Sequence, residues 1–339
     1  MPEAASRTPL DGVDLLLADL DGVVYTGPNP VPYAVESINR AQETIPVGYI
    51  TNNASRTAVS VAELLTGLGL RAGADDVVTS PQAAIVLLAE LVPPGSTILV
   101  VGGEGLTSVV EEHGFRVTRS AEDSPAAVIQ GFHPSVSWAD LAEAAYALRA
   151  PAGGEGIPWV ATNTDWTIPQ ARGVAPGNGT LVSAVHTAVG RLPVVAGKPE
   201  RAIFDTAVAR FGASAPLFVG DRLDTDILGA NRADIRSALV LTGIDGPKQV
   251  LAADANSRPT YLFGDLRELF EPYAEPVEKA DGGDRVVTAG TARVRVAGNA
   301  VRIEDEGASE IELLRAGAAA IWNAGTPIYA LDVDPALYS

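Results

Sequence analysis

Short apolar runs, each ending in a polar or Gly-containing turn, recur along most of the chain. Leu15-Leu16-Leu17-Ala18 leads into Asp19-Leu20-Asp21-Gly22, and Val47-Gly48-Tyr49-Ile50 into Thr51-Asn52-Asn53. Runs that are apolar at nearly every position, not at every second one, suit strands buried on both faces of a parallel sheet. Between them lie stretches with helical period: Pro32 to Glu43, a pattern opened by Ser55 (Ala58, Val61, Leu64, Leu65, Leu68), and Gln82 to Leu91 after Ser80-Pro81. Strands alternating with helices predict βαβ units.

From Ser96 a second set of units begins. Thr97 to Val101, Ala127 to Gln130 and Trp159 to Thr162 read as strands, Trp138 to Leu148 and Leu181 to Val189 as helices, with a long polar loop from Asn163 to Gly179. The first pattern then resumes: Val194-Val195 before Gly197-Lys198-Pro199, a helix over Ala202 to Phe211, and the run Pro216 to Val219 ending in Gly220-Asp221. The expected fold is α/β. A doubly wound, Rossmann-like parallel-sheet core is made of residues 1–80 and 190–272 and is interrupted by an inserted α/β cap, residues 81–189. A Pro-, charge- and Gly-rich stretch from Glu271 to Asp284 reads as a linker. Residues 285–339 then show alternating strands around Gly298-Asn299, a helix over Ser309 to Trp322 with Ser309 as N-cap and Glu312 at the capping-box position, and a last strand over Ile328 to Leu331. This small C-terminal α+β extension is expected to be separable.

Composition narrows the classes. The 339 residues are 47% hydrophobic, enough for a sizeable core. No apolar stretch approaches the roughly 18 residues of a membrane span, and the first residues lack the apolar segment of a secretory signal. The absence of cysteine removes disulfides, thiolate metal sites and cysteine nucleophiles, and agrees with a cytoplasmic location. A formal net charge of −18 repels nucleic acid and anionic lipid, so neither is an expected partner, and an anionic substrate would need a local cation. The turn Gly102-Gly103-Glu104-Gly105 lacks the full G-x-G-x-x-G and is not read as a nucleotide site.

In open parallel sheets, ligands collect beyond the carboxyl ends of the strands. Four such ends carry polar residues: Asp19 and Asp21, Thr51 with Asn52, Lys198, and Asp221 with Asp226. Gly22 should turn the chain sharply and bring backbone N–H groups near an anion. Asp224 reads as a first-turn acid on the next helix. In their order, DLDGV, TNNASR, the loop ATNTD…PGNG, GKP and GDRLDTDI resemble the haloacid dehalogenase-like phosphatases. The match is to the subfamily with a large α/β cap (subfamily IIA, C2-type) between the second and third motifs, which includes phosphatases of glycerol phosphate, phosphoglycolate and pyridoxal phosphate. The resemblance covers about residues 12–272, leaves the tail unmatched, and departs from the family at Ala233-Asp234, where a Gly is usual.

The resemblance implies hydrolysis of a small phosphorylated metabolite in two steps. Asp19 attacks phosphorus to form an aspartyl-phosphate, and Asp21 protonates the leaving oxygen and then activates water. Thr51, Asn52, Lys198 and backbone N–H groups near Leu20 and Asp21 hold the phosphate oxygens. The expected metal ligands are the Asp19 carboxylate, the Asp21 carbonyl and Asp221, with Asp226 orienting the metal's shell. The charges make sense without the family. A phosphomonoester carries about −1.5 to −2, and Asp19 and Asp221 add two more negative charges. A divalent cation and Lys198 would offset these. Mg²⁺ suits an oxygen donor set, and the three histidines, His113, His133 and His186, stand at none of the motifs, which argues against zinc.

In the phosphatases resembled, the loop after the cap strand reaches the substrate's leaving group. Here that places Thr167, Ile168 and Pro169 along a small pocket and Arg172 near its mouth; the alternative reading of the loop is structural, with Asp165 capping a turn and Trp166 filling the core–cap seam. With no His and no aromatic pair for a pyridine ring, glycerol 3-phosphate is favoured over pyridoxal phosphate or phosphoglycolate. A homodimer through the cap is left open. A catalytically silent phospholigand-binding or regulatory protein is the reading from another class, but it has no use for both Asp19 and Asp21.

Overall fold

The computed structural model describes residues 7–150, 156–170 and 172–338. It divides into two compact units: one runs to Val47 and resumes at Ala213, the other is Gly48–Gly212.

In the first unit, Leu15–Ala18 pairs in parallel with Pro216–Gly220, Leu15 opposite Pro216 and Ala18 opposite Val219. Pro216–Gly220 pairs with Arg236–Val240, and that strand with Tyr261–Phe263, again in parallel. Leu15, Leu16 and Leu17 are almost wholly buried, as an uninterrupted apolar run requires. This register delivers Asp19 and Asp221 at adjacent strand ends, and the Asp19 N–H donates to Val219 O at 2.9 Å.

The tail belongs to this unit. Four antiparallel strands, Val277–Asp281, Asp284–Ala289, Ala292–Ala297 and Ala300–Asp305, are joined by Asp332–Val333, parallel to the last of them. The expected linker therefore contains a strand. Val277–Asp281 has no apolar alternation because every residue in it is exposed. Arg285 to Glu278 and Arg295 to Asp281 tie it to its neighbours. The helix Glu310–Trp322 is capped by Ser309, which accepts from Glu312 N at 3.3 Å. The Glu312 carboxylate turns to Thr291 N and Oγ1, both at 3.0 Å, and to Ala308 N at 3.3 Å. The expected last strand is displaced: Ile328–Ala330 is a 3₁₀ turn, and the pairing residues are Asp332–Val333. Nor is the tail a module apart. Leu314, Ala318, Ile321 and Leu337 share one hydrophobic cluster with Leu223, Ile227, Leu239, Leu251 and Leu262. Arg315, 5% exposed, donates to Leu262 O at 2.6 Å, pairs with Glu268 and lies 4.1 Å from the ring centre of Tyr273.

In the second unit, the strand that ends at Thr51 pairs in parallel with Val77–Thr79, Thr51 opposite Thr79. A five-stranded parallel sheet runs in the order Val194–Val195, Trp159–Ala161, Ala127–Gln130, Thr97–Val101, Arg116–Thr118. The helix expected from Ser55 begins at Ala58, because Thr57 is its cap and accepts from Ser60 N at 3.2 Å. The polar loop after Thr162 contains a hairpin, Thr167–Gln170 against Gly173–Pro176. Among the described residues, no helix is long and apolar enough to cross a membrane.

Candidate active site

Three carboxylates meet at the strand ends of the first unit. Asp19, Asp221 and Asp226 are 9%, 2% and 1% exposed, and one oxygen from each lies within 4.8 Å of the others. Asp19 and Asp221 arrive by strand register. Asp226 arrives because Leu223–Ile227 is wound as a π-helical turn, with Ile227 N bonded to Arg222 O at 3.0 Å. Such turns are rare and are frequent at functional sites. The wider winding folds Asp226 back, so that its Oδ2 accepts from Asp221 N and Arg222 N, both at 3.2 Å. That fits an orienting carboxylate, although the same side chain also reaches the trio. Asp221 Oδ2 accepts from Ile244 N at 2.8 Å.

Gly22 shapes the other side. Its φ of +85° is left-handed, and a Cβ there would stand 2.3 Å from Asp221 Oδ2. Its N–H does not face an anion; it closes the turn onto Tyr25 O at 2.8 Å. What the glycine supplies is room for Asp221. Asp21 is exposed, and Asp224 pairs with Arg222 on the surface. Asp245 was not singled out from sequence. It accepts from Leu223 N at 2.7 Å, and burial, followed by the neighbouring Asp224 and Asp226, raises its pKa above the usual carboxylate value. A lone Asp in the turn Ile244–Gly246 carries no sequence signal of this.

At equal charge, each pair in the trio repels by roughly 3.5 kcal/mol at an effective dielectric of about 20. The donors are all carboxylate oxygens. Such a set fits a hard divalent cation and suits Mg²⁺ over the nitrogen- and sulfur-seeking metals.

The polar strand ends of the second unit are built differently. Thr51 is buried and its Oγ1 accepts from Asn53 N at 3.1 Å, so it does not cap the following helix. Lys198 is 4% exposed, an unusual depth for lysine. Asn52 Oδ1 accepts from Lys198 N at 2.8 Å, and its Nδ2 donates to Lys198 O at 3.0 Å and to Asp165 Oδ1 at 3.1 Å. Of the expected specificity residues, Thr167 and Arg172 are exposed and Ile168 is half-buried, while the side chain of Pro169 lies outside the described residues. Trp166 does not fill a seam; it is 65% exposed.

A family model described as haloacid dehalogenase-like hydrolase matches residues 16–116, and a second, HAD-hydrolase-like, matches 195–269. The D-glycerol 3-phosphate phosphatase of Mycobacterium tuberculosis is 44% identical over 314 residues, covering 92% of this chain and 86% of that protein. The chain belongs to the haloacid dehalogenase-like hydrolases. The acid sugar phosphatase of Staphylococcus saprophyticus is 33% identical over 258 residues, 75% of this chain and 96% of its own. A crystal structure of a glycerol phosphate phosphatase from Mycobacterium tuberculosis in complex with magnesium matches with a TM-score of 0.81 and 40% identity, over 97% of this chain and 95% of that one. The mycobacterial match is too long to fit within residues 12–272, so in that relative the tail has a counterpart. The family departure at Ala233-Asp234 is also accounted for. Asp234 sits at φ +59°, the left-handed region where glycine is the easy choice and aspartate one of the few tolerated substitutes.

Proposed function

We propose that this hydrolase is a Mg²⁺-dependent phosphatase that hydrolyses glycerol 3-phosphate through an aspartyl-phosphate intermediate. The observation that carries the chemistry is the buried trio Asp19, Asp221 and Asp226; the substrate rests on the 44% identity to a D-glycerol 3-phosphate phosphatase. The Asp19 and Asp221 carboxylates and the Asp21 carbonyl would hold Mg²⁺, which would supply positive charge against the phosphate and the carboxylates. Asp226 orients Asp221 through the main chain.

An Asp19 oxygen attacks phosphorus, forming the acyl-phosphate bond as the bond to the glycerol oxygen breaks. Asp21 gives its proton to that oxygen. In the second step Asp21 takes a proton from water, the water oxygen bonds to phosphorus, and the Asp19 carboxylate leaves with its electron pair. Asp21's exposure gives it access to solvent protons. Thr51, Lys198 and backbone N–H groups near Leu20 and Asp21 hold the phosphate oxygens, where charge spreads in the transition state. Asn52 was expected beside them, but its amide is committed elsewhere. Residues 81–189 serve as the cap, and Thr167, Ile168, Pro169 and Arg172 meet the leaving group. A cytoplasmic location is part of this reading, and so is a homodimer through the cap, where Trp138 and Tyr146 on the helix Trp138–Leu148 are exposed.

The test is phosphate release from glycerol 3-phosphate, pyridoxal phosphate and phosphoglycolate, with Mg²⁺ and after EDTA. Glycerol 3-phosphate should have the highest kcat/KM, and EDTA should stop turnover until Mg²⁺ is returned. Preference for another ester would replace the substrate; full turnover without metal would remove the charge argument; no turnover on any ester would favour the silent binding protein.

A further inference from the structure

Three chain segments of the second unit converge on one side chain. Asn52 Oδ1 accepts from Lys198 N at 2.8 Å; its Nδ2 donates to Lys198 O at 3.0 Å and, in a forked bond, to Asp165 Oδ1 and Oδ2 at 3.1 and 3.4 Å. The main chain of Asn52 is pinned as well. Its carbonyl accepts from Asn163 Nδ2 at 2.7 Å and Ser80 Oγ at 2.8 Å. Asn163 in turn accepts at Oδ1 from Asp165 N at 3.1 Å, and its carbonyl accepts from Asn178 Nδ2 at 2.7 Å. The fit is close: a Cβ on Gly197 would stand 2.6 Å from Asn52 Oδ1 and 2.5 Å from Thr162 O.

A carboxamide has two N–H donors. On Asn52 one is taken by Lys198 O and the other by the Asp165 carboxylate, so neither is left for a phosphate oxygen. A carboxylate only accepts, so Asp165 fixes which end of the amide faces it and turns Oδ1 toward Lys198 N.

We infer that Asn52 and Asp165 are positioning residues: Asn52 clamps the main chain of Lys198 at both its N–H and its C=O, and Asp165 sets the amide's orientation. The strand Thr167–Gln170 begins two residues beyond Asp165. The clamp therefore joins the root of the specificity hairpin to the lysine that grips phosphate. This rests on the reading of Lys198 as a phosphate-binding residue.

The experiment uses the full chain with Mg²⁺ and measures kcat/KM for glycerol 3-phosphate, the inhibition constant of inorganic phosphate, and Tm for each variant. Lys198→Ala tests the underlying reading and should weaken phosphate inhibition at least about tenfold, the worth of a lost charge-assisted hydrogen bond. Asn52→Asp sets two carboxylates against each other and should weaken inhibition by roughly tenfold to a hundredfold. Adding Asp165→Asn to that variant restores a donor opposite an acceptor and should recover at least about tenfold of the loss. Should Asn52→Asp fail to fold, Asp165→Ala against Asp165→Asn serves instead: the asparagine keeps an acceptor and should lose less phosphate affinity than the alanine at comparable Tm.

If Lys198→Ala leaves phosphate inhibition unchanged, the lysine reading falls. If Lys198→Ala acts but the exchange recovers nothing, or the Ala and Asn variants at 165 are equal, the clamp is overturned. Recovery of Tm without recovery of phosphate inhibition would make the pair merely structural.

Discussion

At the strand ends of the first unit, Asp19, Asp221 and Asp226 bring three carboxylates of one sign within 4.8 Å. At those of the second, Asn52, Asn163, Asp165 and Asn178 answer one another and the main chain with neutral or charge-assisted hydrogen bonds. The first gathers like charges into an oxygen donor set that suits a cation; the second stabilises the loops it ties. The first also leans on its surroundings. Leu223 and Ile227, which flank Asp226 on the π turn, are buried in the cluster that the tail completes.

The largest effect should come from removing that support. A chain ending after Tyr273 strips the partners of Leu223, Ile227, Leu239, Leu251 and Leu262 and leaves Glu268 without Arg315. Each side chain so exposed costs about 1.5–3 kcal/mol, so the product should be insoluble. A soluble, active 1–273 fragment would make the tail an ornament and the first unit self-sufficient.

Next is Asp19→Asn, whose effect should fall on activity. Turnover with Mg²⁺ should fall by at least about 10³-fold, because the amide is a poor nucleophile. Near-normal turnover would remove Asp19 from the mechanism.

A smaller effect concerns Glu312 in the tail. Burial alone would raise its pKa, but the bonds from Thr291 N, Thr291 Oγ1 and Ala308 N together outweigh it and hold the carboxylate below the ordinary glutamate value. Its stabilisation is thus present above the ordinary value and lost as pH falls through the lowered one. The Tm difference between wild type and Glu312→Gln, followed from about pH 6 to pH 3, should shrink toward acid; a flat difference would remove the carboxylate's role.

The smallest effect tests the second unit's tidiness. The Tyr49 hydroxyl is buried with no hydrogen-bond partner among the described residues. Tyr49→Phe should leave stability unchanged or raise it by up to about 1 kcal/mol in denaturant melts. A clear loss would reveal a partner.

The fold and the motif residues were legible because their signals are local. Leu15 to Asp19 reads as a buried strand ending in a carboxylate, and Pro216 to Asp221 repeats it. What escaped was set by distant partners. Asn52 looked like a phosphate ligand because its sequence neighbour Thr51 does, yet its donors are spent on residues 113 and 146 positions away. Val277–Asp281 looked like a linker because an edge strand held by ion pairs has no apolar alternation to read. The exposed Trp166 and the hairpin after it depend on a fold-back that composition does not encode.

The pairing of Leu15–Ala18 with Pro216–Gly220 has a consequence for synthesis. The first strand leaves the ribosome about 200 residues before its partner, which at roughly 5–20 residues per second is a delay of about 10–40 s. Throughout that time Leu15, Leu16 and Leu17 lack the strand Pro216–Gly220 on one side. The second unit is continuous in sequence, Gly48–Gly212, and is complete before Pro216 is made. The nascent chain thus carries a finished unit beside a waiting strand, and holding chaperones should bind it most strongly at its N-terminal end.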